Sequence, residues 1–284
     1  MKIIHLILAH DPTSIEQLAR LVNILDHTDS IVYMHIDLKT DQHIFIKYFN
    51  SYSNVRFINK RVNIKWAGYS MIEAEQYSFE QILLEEPNFD YLNLLSAQDY
   101  PIRPIEEFHQ FLFNNKGKAF MHCLDVETEW EEAKERVTRY HLINFDFKGK
   151  YLLENLLNKL LPTRIVPNNM VIKGRSQWFT ISKKHVEYIV KELNNNKKFV
   201  RFFKFSWSPD EIVFQTLLYN SPFRNDIVNN NLRFIDWSDG KKNPKTFTFI
   251  DFHQIIDSNQ FFGRKFNSTI DGTILDIIDQ HILK

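Results

Sequence analysis

Short apolar runs and amphipathic stretches alternate along the first third of the chain. Residues 3–9 (Ile-Ile-His-Leu-Ile-Leu-Ala) read as a short buried strand, and Asp11-Pro12-Thr13-Ser14 opens a helix running to about Leu25. Residues 31–37 form a second buried run that ends on a carboxylate, and residues 55–58 a third, with a helical pattern over 42–49 between them. This β-α-β-α-β rhythm predicts a parallel sheet with helices on its faces. Further on, the spacing predicts a helix over 71–84, a central strand over 91–96 leading into Gln98-Asp99-Tyr100-Pro101, and a strand over 119–122. A helical pattern at 147–161, a strand at 176–181, a helix at 183–193, a late strand at 232–237 and a closing helix at 273–283 complete the series. Asparagine-rich patches at 194–196 and 229–231 read as helix-terminating loops, and no internal repeat is visible. One compact α/β domain is the simplest account.

The segment Trp207-Ser208-Pro209-Asp210-Glu211 stands out, because two adjacent carboxylates sit behind a proline at the head of the apolar run 212–218. Ser208 suits an N-cap, Pro209 the first helical position, and acids there suit the helix dipole. It is therefore an ordinary capping sequence, and equally a rigid helix start from which a carboxylate can be aimed into a cleft.

Composition narrows the choice of function. Lys plus Arg equals Asp plus Glu at 35 each, so no net charge points to nucleic acid or a membrane surface. Phe numbers 25 and Gly only 7, which predicts a dense core and few glycine loops; neither GxGxxG nor GxxxxGK[ST] occurs. The single Cys123 excludes an internal disulfide and a multi-cysteine zinc site, and the scattered histidines do not suggest zinc. The N-terminal apolar run is short and ends in His10-Asp11-Pro12, unlike a signal peptide, and no stretch has the ~20 apolar residues that span a bilayer. A soluble protein is expected. No Gly-x-Ser-x-Gly elbow occurs, so an α/β-hydrolase is not expected.

Three constellations carry candidate chemistry. In open parallel sheets ligands bind beyond the carboxyl ends of the strands, where this chain has His10-Asp11, Asp37-Leu38-Lys39 and Ser96-Ala97-Gln98-Asp99. These suit sugar or ribose hydroxyls, although an Asp at a strand end also caps the next helix. Asp125-Val126-Glu127-Thr128-Glu129 places alternate carboxylates on an extended segment, a pattern for a hard cation or for a solvated helix start. Lys241, Lys242 and Lys245 flank Pro244, and Phe261-Phe262-Gly263-Arg264-Lys265-Phe266 sets a basic pair among aromatics. Such cations hold a diphosphate, or belong to a surface turn whose stems pack on rings. Local sequence leaves both open.

In order along the chain, six segments resemble the core-2/I-branching β-1,6-N-acetylglucosaminyltransferases, the family that also includes peptide O-xylosyltransferases. They are His35-Ile-Asp-Leu-Lys39, Trp66-Ala-Gly-Tyr-Ser70, Asn93 to Ile102, Gly174-Arg-Ser-Gln-Trp-Phe179, Ser208-Pro-Asp-Glu211 and Phe262-Gly-Arg-Lys-Phe266. The resemblance runs from about residue 3 to 270. It implies a GT-A-like α/β fold with a mixed, mostly parallel sheet, a nucleotide-binding half over about 1–115 and an acceptor and catalytic half over about 116–284. It also implies inverting, metal-independent transfer from a UDP-sugar to a glycan or glycoconjugate hydroxyl, with no further cofactor.

By position, Glu211 resembles the family's general base, and Asp210 keeps a capping or orienting role. Lys265, and less directly Lys245 or Arg264, resemble the cations that neutralise the diphosphate. Ala9, His10 and Asp37 match the uridine-binding strand ends. Glu127 and Arg136 resemble acceptor-contacting residues, with Arg139 as an alternative, and Trp237 and Trp178 are similar in place to aromatics of the acceptor cleft or to core tryptophans. The animal enzymes' membrane anchor, stem and disulfides are not matched, which suggests a compact bacterial-type member. UDP-GlcNAc is the expected donor, with UDP-xylose as the alternative and a non-catalytic nucleotide-sugar or glycan-binding domain as the rival reading. A cytoplasmic place is expected, compatible with peripheral association at the inner face of the membrane and with no nucleic-acid partner.

Overall fold

The computed structural model describes residues 1–283. The chain runs β1 (Ile3–Ala9), α1 (Ile15–Ile24), β2 (Ser30–Ile36), α2 (Gln42–Tyr48), β3 (Val55–Phe57) and α3 (Ser70–Glu85). Next come β4 (Tyr91–Ser96), β5 (Asp99–Pro101), α4 (Ile105–Asn114), β6 (Ala119–Asp125), α5 (Lys134–Thr138) and α6 (Lys150–Leu160). They are followed by β7 (Lys173–Ser182), α7 (Lys183–Asn195), α8 (Lys197–Phe203), α9 (Val213–Tyr219) and β8 (Ile227–Val228). The last elements are β9 (Arg233–Ile235), α10 (Phe252–Asp257), β10 (Phe262–Arg264) and α11 (Thr273–Ile282). The expected mixed α/β fold is present.

Two compact units form. One comprises Met1–Asn59, Asn88–Lys116 and the chain from Leu232 onward; the other comprises Lys60–Pro87 and Gly117–Asn231. The units are therefore discontinuous in sequence, with α3 in the second and the chain after Leu232 in the first, whereas the expected halves met once, near residue 115. The physical reason is strand pairing: β10 pairs with β5, far back in the chain, and β9 pairs with β10.

In the first unit β3, β2, β1 and β4 lie side by side, all parallel, as the β-α-β rhythm predicts. All of β1 is buried, which is why it reads as a continuous apolar run and not as an alternation. A small second sheet places β10 between β5 and β9. These three-residue strands have no readable period, so β5 and β10 are missed from sequence. Helix α4 is missed as well, although Ile105, Phe108 and Leu112 fill its buried side. In the second unit β6 runs antiparallel to β7 and parallel to β8. Phe79, Phe179 and Phe214 meet there with ring centroids 5.4–6.4 Å apart, joining α3, β7 and α9.

Polar side chains also lie in the first unit's core. His5 on β1 is fully buried, with Nε2 3.3 Å from Ser30 Oγ and Nδ1 3.1 Å from Asn93 Nδ2. Ser30 Oγ lies 3.0 Å from His109 Nε2, and the His109 ring stacks on His27 with centroids 3.8 Å apart. Burial, then the nearby His109 and Arg233, lower the His5 pKa to about 3; burial, then His27, lower that of His109 to about 4. Both rings are therefore neutral in the fold, and protonation favours the unfolded chain. Their stabilising contribution is whole above pH 6.5 and is lost as pH falls towards 3–4. We expect the unfolding free energy from urea titrations to drop steeply between about pH 6.5 and 4.5, by on the order of 3 kcal/mol, with a shallower slope in His5→Gln. Equal slopes in the two proteins would show that His5 is not the group responsible.

Candidate active site

In the first unit the strand ends gather the residues expected to hold a donor. Ala9 pairs in register with Ile36, and the Asp37 N–H donates to the Ala9 carbonyl at 2.9 Å. Asp37 is buried; its carboxylate accepts the Lys39 N–H at 2.9 Å and lies 3.5 Å from the Lys39 ammonium. His10 is exposed, and its carbonyl accepts the Thr40 hydroxyl at 2.6 Å. Asp11 caps: it accepts the Thr13 N–H at 2.9 Å and the Thr13 hydroxyl at 2.7 Å.

Beyond β4, fully buried Asp99 accepts the Ser96 N–H at 2.5 Å and its hydroxyl at 2.7 Å. Arg264 on β10 lies 3.3 Å from Asp99 and also donates to the Ser96 hydroxyl. The Arg264-Lys265 segment is held on both sides, by the Phe266 N–H on the Gln98 carbonyl at 2.9 Å and the Phe247 N–H on the Lys265 carbonyl at 2.8 Å. It is thus a restrained strand, not a surface turn.

The three cations proposed for a diphosphate differ in one decisive respect. Lys245 donates to Asp251 at 2.6 Å, and Arg264 is countered by Asp99. Lys265 is half-buried and has no carboxylate partner among the described residues; burial, then the adjacent Arg264 charge, lower its pKa. Lys265 therefore has the most to gain from an arriving anion. Trp237, just past β9, is 48% exposed and presents an open ring.

The second unit carries the Ser-Pro-Asp-Glu segment, and here the local geometry differs from the expected helix start. Pro209–Glu211 form a 3₁₀ turn, and α9 begins only at Val213, after Ile212 breaks the path with φ −131° and ψ −40°. Ser208 is not a side-chain cap; its backbone is left-handed at φ 45°, and its N–H donates to the Ala67 carbonyl at 2.9 Å. The two acids then part. Asp210 turns inward and is buried, whereas the Glu211 carboxylate remains partly exposed and meets Arg136 Nη1 at 2.5 Å.

The Arg136 guanidinium lies between two indoles, 4.6 Å from the Trp130 centroid and 4.5 Å from that of Trp207. The Trp207 N–H donates to the Arg136 carbonyl at 3.0 Å, and Trp66, 65% exposed, stands edge-on to Trp207 at 5.6 Å. Arginine between aromatic faces loses little freedom on pairing, so the Glu211 carboxylate is held in one orientation. Trp130 was not singled out from sequence, and Trp66 and Trp207 stood there only as the first residues of two marked segments, with no role assigned.

Below the turn lies a second carboxyl that sequence gave no reason to pick. Glu75 on α3 is fully buried; it accepts the Gln177 amide at 2.8 Å, and its other oxygen has no hydrogen-bond partner among the described residues. Burial raises its pKa well above the usual range, with the Asp210 charge adding to the rise. Burial, then the neighbouring Glu211 charge, push Asp210 up to about 7.

The remaining candidates are already paired or buried. Glu127 pairs with Lys134 at 2.5 Å on the exposed surface, a pair of small energetic weight. Arg139 pairs with Glu135 at 3.3 Å, also exposed. Trp178 is only 7% exposed on β7, so it offers little ring face to a sugar. Asp125 and Glu129 hold Lys173 at 3.2 and 3.6 Å, so a lysine already counters the acidic cluster.

The profile of the core-2/I-branching enzymes matches residues 6–261. The chain belongs to the core-2/I-branching enzyme family. This is a family of glycosyltransferases, and Glu211, Arg136 and the strand-end residues Ala9, His10 and Asp37 fall inside the match, while Arg264 and Lys265 lie just beyond it. Among curated proteins the chain is similar to xylosyltransferase 2 of Mus musculus (30% identity, 99% of this chain) and to xylosyltransferase 1 of Rattus norvegicus (26%, 99%). It spans about a third of their length, 34% and 35%. Among solved structures it is similar to a 4-diphosphocytidyl-2C-methyl-D-erythritol synthase, at 12% identity and a TM-score of 0.36, over 70% of this chain and 83% of that one.

The buried Asp210 makes a signed prediction for this family member. Its raised pKa means that stability falls as pH rises from about 4 to about 7, where the unfolded chain has already lost the proton. Asp210→Asn removes that dependence. The stability difference, variant minus wild type, is expected to grow in favour of the variant by on the order of 3 kcal/mol between pH 4 and 8 in urea titrations. A difference independent of pH would overturn the assignment.

Proposed function

We propose that the protein is an inverting glycosyltransferase that moves one sugar from a UDP-sugar to a hydroxyl of a glycan or glycoconjugate. The observation that supports this reading best is the Glu211–Arg136 pair, a partly exposed carboxylate fixed between tryptophans in a chain of this family. Glu211 is the general base. As the acceptor oxygen attacks the anomeric carbon, its proton passes to the Glu211 carboxylate. The new C–O bond forms while the bond from the anomeric carbon to the diphosphate breaks, and UDP leaves with the electron pair. General-base assistance of this kind contributes about 10²–10⁴-fold.

Lys265, with Arg264 beside it, stabilises the charge that develops on the departing diphosphate, and Ala9, His10 and Asp37 hold the nucleoside. Trp237, Arg136 and Glu127 serve the acceptor. Fixed cations in this role make transfer independent of a divalent metal. The donor has two readings: family resemblance favours UDP-GlcNAc, and the similarity to xylosyltransferases over 99% of the chain favours UDP-xylose.

Glu211→Gln should lose transfer by about 10²–10⁴-fold while binding UDP with unchanged affinity. Retained transfer would remove Glu211 from the base role, and transfer absent from the wild type with UDP binding intact would favour a binding domain. Steady-state rates with either donor should be equal with and without EDTA, and Lys265→Ala should weaken UDP binding by about tenfold or more. Strict dependence on manganese would instead point to a bound divalent cation as the group that neutralises the diphosphate.

A further inference from the structure

Helix α6 turns most of its apolar surface outward. In a surface helix the apolar stripe faces the core and the polar side faces water. None of the 11 residues of α6 is buried, and Leu152, Leu156 and Leu160, spaced four apart on one stripe, are 77%, 49% and 70% exposed. The half-buried side carries Glu154, Leu157 and Asn158, and its two polar members grip the protein. Glu154 accepts the Leu142 N–H at 2.7 Å, while Asn158 accepts the Tyr140 N–H at 2.7 Å and donates to the Tyr140 carbonyl at 2.8 Å. Tyr151 (71%) in the helix, and Phe147 (46%) and Ile165 (83%) in the flanking chain, are exposed apolar residues as well. An exposed apolar stripe of this kind marks an interaction site.

The charges around the face select its partner. Lys148 and Lys159, one before the helix and one in its last turn, are exposed, and neither has a carboxylate partner among the described residues. Lys150 lies 3.9 Å from Asp146, whose carboxylate is taken at 2.5 Å by Lys65. The one acid within the helix, Glu154, is occupied by the backbone. The rim is thus cationic. A second copy docked symmetrically on this face would set like charges against each other, whereas an anionic lipid surface meets both the leucines and the lysines.

We propose that α6 and its flanks form a membrane-surface binding site for anionic phospholipid, with the helix lying in the headgroup layer. The site is separate from the Glu211–Arg136 pair and does not depend on the proposed transfer reaction. The apolar face supplies insertion, and Lys148 and Lys159 supply attraction that salt weakens.

The test is co-sedimentation of the full chain with vesicles of phosphatidylcholine containing about 30% phosphatidylglycerol, against phosphatidylcholine alone. We expect at least ~10-fold tighter binding to the anionic vesicles, reduced by salt at about 0.5 M. Leu152→Ser/Leu156→Ser/Leu160→Ser should abolish sedimentation with the thermal midpoint retained, and Lys148→Glu/Lys159→Glu should remove the preference for anionic lipid. A second readout keeps the native core: Leu152→Cys labelled with an environment-sensitive dye should shift to the blue on adding vesicles. The native Cys123 is buried, with its thiol pushed up to about 11 by that burial, so labelling is confined to the new residue. Sedimentation unchanged by the leucine variant, or a dye that does not respond, would overturn the proposal. So would a wild-type dimer that fails to bind vesicles and dissociates in the leucine variant, since the face would then serve a second copy.

Discussion

A Cβ on residue 174 would lie 2.3 Å from the Glu211 carbonyl oxygen and 3.1 Å from the Ile212 Cα, so the turn at 209–211 can rest on β7 only because Gly174 has no side chain. The rest of the second unit's arrangement is tied to that approach. Gln215 donates to the Ser176 carbonyl at 2.6 Å, Thr216 exchanges hydrogen bonds with the Lys173 backbone at 3.0 and 3.1 Å, and Ser208 is tethered to Ala67. With backbone fixed on both sides, the 3₁₀ turn has one way to place its acids. Asp210 is buried near enough to Glu75 to raise that residue's pKa, and Glu211 points out to Arg136.

The two carboxyls consequently do different physical work. Asp210 is far from water and close to another buried carboxyl, so its charged form is disfavoured and its proton is retained towards neutral pH. Glu211 has an arginine whose own freedom is already limited by two indole faces. One residue is buried beneath the turn and the other presents an oriented, partly exposed carboxylate. In the first unit the same logic sorts the three cations: pairing commits Arg264 and Lys245, and leaves the half-buried Lys265 without a carboxylate partner among the described residues.

Much of the fold was legible. The buried runs that became β1, β2 and β4 have the short, continuous apolar pattern of strands covered on both faces, and their polar ends are where Ala9, His10, Asp37 and Asp99 are found. Other parts had no local signature. The strands β5 and β10 are too short for a period to show, and Arg264 is seated on β10 only through its pairing with β5 and β9. Helix α6 has a clear helical period, yet period alone does not say which side faces the protein. That was decided by Glu154 and Asn158 finding backbone partners around residues 140–142.

By itself, the sequence determined the α/β class, the positions of most strands and helices, and the candidate carboxylate at 211, because period and turn chemistry act over a few neighbouring residues. The tertiary structure alone decided that Glu211 pairs with Arg136 across 75 positions of chain, that Asp210 is buried within electrostatic reach of Glu75, and that Lys265 keeps no carboxylate partner among the described residues. Those outcomes depend on which distant groups packing brings within about 4 Å, the range over which pairing and desolvation reset a charged group's behaviour.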